Sequence, residues 1–135
     1  MLKISEGFSL IELIVVVAIV GILSAIAIPS YSSSIEKGRR ADGKVALAGA
    51  VALQEREFSL THQYSADISI LGGVTSAEGF YAMSVVYIST LGVCTTDKDC
   101  YTLTATAIGA QANDTTCAVL TINSLGQKTP SADCW

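Results

Sequence analysis

One long helix laid against a small antiparallel sheet, an α+β fold, is what the sequence predicts, and three observations predict it. Residues 8–28 form an apolar run broken by a single charge, Glu12. Small and apolar residues then recur at three- and four-residue intervals as far as Phe58. Beyond Gly79 the period falls to two, in β-branched and aromatic stretches separated by turn-forming residues. A change of period from 3.6 to 2 marks helix giving way to strand.

The first seven residues, MLKISEG, read as a short leader. At about 1.5 Å per residue, a helix over 8–28 spans roughly 30 Å, the thickness of a bilayer's hydrocarbon core. The run is too long and too uniformly apolar for an ordinary strand, and a helix satisfies its own backbone groups in lipid. A membrane-spanning helix over residues 8–29 is therefore expected. Within it, the Glu12 carboxylate is costly, about 3 kcal/mol at mid-bilayer, and by default suggests function. The plainer reading is a carboxylate favoured by the helix dipole near the N-terminus. Gly21 and Pro29 interrupt the run and weaken it locally, which gives a gentle kink at the membrane surface.

Past Pro29 the chain turns polar without a convincing stop. Ile35, Ala41, Val45, Ala48 and Ala52 keep helical spacing, and Leu47, Val51, Gln54 and Phe58 continue a neighbouring stripe. One helix from residue 8 to about 59 is expected, with Val45 and Ala48 helping to cover the sheet. Glu36, Lys37, Arg39, Arg40 and Asp42 read as a solvated face or as salt bridges between subunits. Residues 60–79, with Gly72, Gly73 and Gly79, form a loop. His62, Tyr64 and Phe80 read there as loop packing rather than ligands. Strands follow at 80–88, 101–108 and 117–123, the second alternating Thr102, Thr104 and Thr106 against Leu103, Ala105 and Ala107. Residues 124–127 form a turn able to open a short final strand. An antiparallel sheet of three or four strands on the helix is the economical arrangement.

A chain of 135 residues leaves room for one domain beyond the apolar segment. Its net charge of −4 argues against a broad nucleic-acid-binding surface, so no specific nucleic-acid partner is expected. Cys94, Cys100, Cys117 and Cys134 make an even count, which reads as two disulfides in an oxidising compartment. Spacing favours Cys94–Cys100 with Cys117–Cys134, although three connectivities are open. Zinc is disfavoured, because neither pair has CxxC spacing and His62 is the only histidine. Asp97-Lys98-Asp99 lacks the further ligands of a calcium loop. No nucleophile–base pair or phosphate loop can be assembled, so neither an enzyme nor a metal or cofactor is expected. Lys3 before the span against Lys37, Arg39, Arg40 and Lys44 after it would place the body in the cytoplasm. The cysteines favour the opposite side.

Gly7-Phe8-Ser9-Leu10-Ile11-Glu12, the apolar run after it, and Ile28-Pro29-Ser30-Tyr31 together resemble the N-terminal signature of type IV pilins and pseudopilins. The 101–135 segment and the QEREFS stretch are similar to PilE-like minor pilins. The resemblance implies the type IV pilin fold and cleavage by a prepilin peptidase between Gly7 and Phe8, with methylation of Phe8. It also implies a pairing of Glu12 with a neighbouring subunit's Phe8 amine, and helix melting between Gly21 and Pro29 on assembly. By the same resemblance, residues 1–7 are a leader, 8–29 a transmembrane and filament-core helix, and 30–135 a periplasmic or extracellular head. The Cys117–Cys134 pair would close the disulfide-bonded C-terminal region. The partners implied are other pilin subunits, the peptidase, an inner-membrane assembly platform, and membrane lipid before assembly. The expected role is a structural subunit, a minor pilin, moving from the inner membrane to a surface pilus for adhesion, twitching motility or DNA uptake. A pseudopilin of type II secretion is the first alternative. A secreted binding domain cut after Ala25-Ile26-Ala27 is the second.

Overall fold

The structure, a computed structural model, describes residues 7–87, 100–130 and 132–135. The chain divides into two compact units, residues 1–35 and 36–135. Helix α1 runs Leu10–Thr61 and contains both Gly21 and Pro29. Between Leu10, at 75%, and Ile28, at 68%, its large apolar side chains are all exposed. By length and composition this helix can cross a membrane.

In the second unit, α1 supplies Gly43, Leu47, Ala50 and Gln54 to the core. The sheet consists of β1 (Tyr81–Tyr87), β2 (Tyr101–Ala107), β3 (Val119–Asn123) and β4 (Lys128–Thr129). All neighbours pair antiparallel in the order β1-β2-β3-β4. The expected alternation holds. Tyr101, Leu103, Ala105 and Ala107 are buried, and Leu120 and Ile122 join the same cluster. The short fourth strand is present after a turn with Gly126 at φ +74°.

The helix face differs from the expectation. Val45 is 71% exposed and Ala48 is exposed, so neither covers the sheet. The buried stripe is the neighbouring one, which includes Leu47 and Gln54. Both stripes carry apolar residues at helical spacing, so period alone could not choose between them. Shape chooses. At Gly43 a Cβ would lie 2.9 Å from the Tyr81 ring, so only the bare glycine lets that ring, itself fully buried, seat on the helix. Gln54 is buried because its amide reads the backbone of the chain as it turns back. Its Nε2 donates to the Ser65 carbonyl at 2.7 Å, and the Ser65 N–H donates to its Oε1 at 2.8 Å.

The loop after the helix packs as expected, through aromatics. Phe58 stacks on Tyr64 at 4.7 Å, and Tyr64 meets the Tyr101 ring edge-on at the same separation. His62 is exposed and ends the helix at φ +58°. Cys117 and Cys134 are joined, 17 residues apart in sequence, and both sulfurs' residues are buried. Cys100 is buried and disulfide-bonded, while its expected partner Cys94 and the Asp97-Lys98-Asp99 turn lie outside the described residues.

Candidate functional site

The residues for which the resemblance implies processing and registration, Gly7, Phe8 and Glu12, fall just before and within the first turn of α1. Gly7 and Phe8 precede the helix, and Phe8 is 85% exposed. Glu12 sits in the first helical turn, exposed. Gly21 has open space around it, and Pro29 lies inside continuous helix. No group of three or more His, Cys, Asp or Glu side chains able to hold a metal occurs among the described residues.

In the second unit, two of the charged residues after Pro29, Arg40 and Asp42, are held within the fold, whereas Lys37 stays exposed. Arg40 forks onto Asp114, with Nε to Oδ2 at 2.6 Å and Nη2 to Oδ1 at 3.0 Å. This bidentate match of guanidinium to carboxylate is the strong form of an ion pair. Asp114 also accepts the Cys117 N–H at 3.1 Å and the Gln111 Nε2 at 3.0 Å. Arg40 and the Cys117 N–H hold its carboxyl below the usual carboxylate range, against the opposing effect of burial. The Arg40 Nη1 lies 3.5 Å from the Asp133 carbonyl, so one side chain ties the helix to both sides of the disulfide. Asp42 is turned inward as well, accepting from the Ser76 hydroxyl and the Glu78 and Phe80 N–H groups. The sequence did hold a signal for Asp114. It stands three residues before Cys117, the spacing at which a carboxylate reaches a following backbone N–H.

Cations without an ion-pair partner among the described residues are Lys37, Arg39, Lys44, Arg56 and Lys128. Two of them lie over aromatic rings. Arg39 sits 4.9 Å from the Phe80 centroid, and Lys128 sits 4.9 Å from that of Trp135. Trp135 is fixed in turn by its indole N–H, which donates to the Thr129 carbonyl at 3.0 Å. Lys128 and Trp135 therefore form a cation-and-aromatic corner where β4 meets the disulfide-bonded tail. The sequence reading did not find this corner, because seven residues separate the partners and only the tail's return brings them together.

A solved type IV pilin from Shewanella oneidensis matches this helix-on-sheet architecture with a TM-score of 0.56 and 24% identity, over 74% of this chain and 97% of that one. The fold is the type IV pilin fold. A family model described as type IV minor pilin ComP, DNA uptake sequence receptor, matches residues 29–121, and the prokaryotic N-terminal methylation motif matches residues 2–28. The chain belongs to the ComP family of type IV minor pilins, a structural and not a catalytic family.

Curated relatives agree. The fimbrial protein EcpC of Eikenella corrodens is 32% identical over 84 residues, covering 62% of this chain and 55% of that protein. The type IV major fimbrial protein FimA of Dichelobacter nodosus is 46% identical over 57 residues, 42% of this chain and 35% of FimA. The type IV major pilin protein PilA of Myxococcus xanthus is 41% identical over 61 residues, 45% of this chain and 28% of PilA. The chain thus spans about half or less of the length of these relatives.

The family corrects one expectation. No specific nucleic-acid partner was expected from the net charge, whereas the matched family is one of DNA uptake sequence receptors. Net charge is a sum over the whole chain, whereas phosphate binding depends on where cations stand locally. Among the described residues Lys37, Arg39, Lys44, Arg56 and Lys128 have no ion-pair partner, and two of them lie over aromatic rings.

Proposed function

We propose that this chain is a DNA-binding minor subunit of a type IV pilus. In this reading it is cut between Gly7 and Phe8, held in the membrane by residues 8–29, and assembled into a surface filament. Its head, from residue 30 onward, then captures duplex DNA for uptake. The observation that carries the reading is the family match over residues 29–121, which covers most of that head. The exposed Val45 and Ala48 stripe on α1 supports filament packing, since it is apolar and the sheet does not need it. Lys128 over Trp135 supports a DNA contact, because a cation beside an aromatic face suits phosphate and base together.

The test uses full-length protein in mild detergent and a randomised pool of duplexes. Bound duplexes should become enriched in one sequence motif. Lys128→Ala should weaken binding across all sequences and lower the salt slope by about one phosphate contact. Failure to retain any duplex at low salt would remove the DNA role and leave the pilin assignment standing.

A further inference from the structure

The cations that follow the apolar segment have no part in the filament or DNA readings. Four of the chain's eight basic residues, Lys37, Arg39, Arg40 and Lys44, fall in one short stretch after it. Such an excess opposes export of whatever follows a membrane span. Arg40 is matched to Asp114, and Asp42 accepts hydrogen bonds from Ser76, Glu78 and Phe80. What remains is Lys37, exposed, with Arg39 and Lys44, both partly exposed, against the carboxylate of Glu36. None of the three cations has an ion-pair partner among the described residues.

Tyr31 marks the level of the membrane surface. It closely follows Pro29 and is 71% exposed. A tyrosine at the end of a span sits among the headgroups, ring toward the acyl chains and hydroxyl in water. Lys37 and Arg39 come six and eight residues later in the same helix, about 9 and 12 Å of helical rise. Long basic side chains bend back along a helix toward a membrane surface, so both reach the phosphate layer. Two positions apart, they leave α1 on opposite sides, about 200° around its axis. Arg39 is steadied by the Phe80 ring at 4.9 Å. Lys44 lies about 20 Å of rise beyond Tyr31, roughly two screening lengths away. The chain's own span holds an anionic surface beside Lys37 and Arg39, whereas duplex DNA has to be recruited from solution. We propose that Lys37 and Arg39 bind the phosphates of anionic phospholipid headgroups around the emerging helix.

Resting on the membrane-held reading of residues 8–29, this contact is tested on full-length protein in vesicles of phosphatidylcholine and phosphatidylglycerol. Spin-labelled analogues of the two lipids report which headgroup the protein retains. Phosphatidylglycerol should associate about fivefold more strongly, and about 1 M salt should abolish the preference. Lys37→Gln with Arg39→Gln should bring the ratio to about one. Lys37→Arg with Arg39→Lys keeps both charges and should retain the preference, which separates lost charge from a folding defect. Lys44→Gln should leave it unchanged. Wild-type protein that floats with the vesicles and shows no preference would overturn the proposal and leave the membrane reading standing. Protein that fails to insert would overturn both. A preference lost through Lys44→Gln, or through Lys3→Gln before the span, would also overturn it. So would an unchanged lipid preference with weakened duplex binding in the double glutamine variant, which would assign the two cations to DNA.

Discussion

Asp114 illustrates how much can rest on one side chain. It accepts from Arg40, Gln111 and the Cys117 backbone, and is 3% exposed. Removing its cation strands a buried carboxylate, so Arg40→Ala should cost about 3 kcal/mol in denaturant unfolding. The pH dependence follows from the same geometry. A carboxyl whose folded-state pKa is depressed contributes stability above its unfolded value of about 4 and loses it as pH falls through the folded value. Wild-type protein should therefore lose melting temperature below about pH 4 more steeply than Asp114→Asn does. Equal slopes for the two would mean that the pair contributes nothing to acid stability. The raised pKa of Arg40 works in the opposite direction, and its stabilisation would be lost only at strongly alkaline pH.

At the scale of elements, α1 has two apolar faces in its second half, and they should respond differently to substitution. Gly43→Val would drive a side chain into the buried Tyr81 ring and should destabilise the domain by about 1–3 kcal/mol. Ala48→Glu lies on the exposed face and replaces one good helix former by another, so unfolding should shift by less than about 0.5 kcal/mol. Under the filament reading, the same variant should be missing from sheared pili when they are immunoblotted beside the major subunit. A destabilised Ala48→Glu would mean that this face is covered within the folded chain. The contrast also shows what the sequence could and could not reveal. The strands were legible because Thr102, Thr104 and Thr106 alternate cleanly with Leu103, Ala105 and Ala107. The membrane-competent segment was legible from the long apolar run, in which Glu12 is the single charge. The working face of α1 was not, because two stripes of equal spacing compete and the decision lies in the fit of Gly43 to Tyr81. The Lys128–Trp135 corner was hidden for a related reason, since only the closed disulfide loop brings the tail back to β4.

For the whole molecule, the proposed reading divides labour between the two units. The Phe8–Glu12 registration contact belongs to the first and ligand capture to the second, so these two should be separable by mutation. Once the chain is cut after Gly7, Phe8 would carry an α-amino group with a pKa near 8, about nine-tenths cationic at pH 7. In an apolar filament core that cation and a neighbour's Glu12 carboxylate stabilise each other, while either alone is penalised. Glu12→Leu removes a charge from the apolar segment and should enter the membrane at least as well as wild type. In a filament it would leave an amine without its partner, at a cost of about 3 kcal/mol per contact. The head shares no element with Glu12 except α1 itself, and residues 36–135 form their own compact unit, so the energetic effects should not couple. The expected phenotype is mature, disulfide-bonded protein that binds duplex DNA as wild type does in detergent but is absent from the sheared fraction. If Glu12→Leu enters filaments at the wild-type ratio, the pairing with Phe8 is wrong and the carboxylate serves only the dipole of its own helix. If it assembles normally and loses DNA binding, the division between the two units fails.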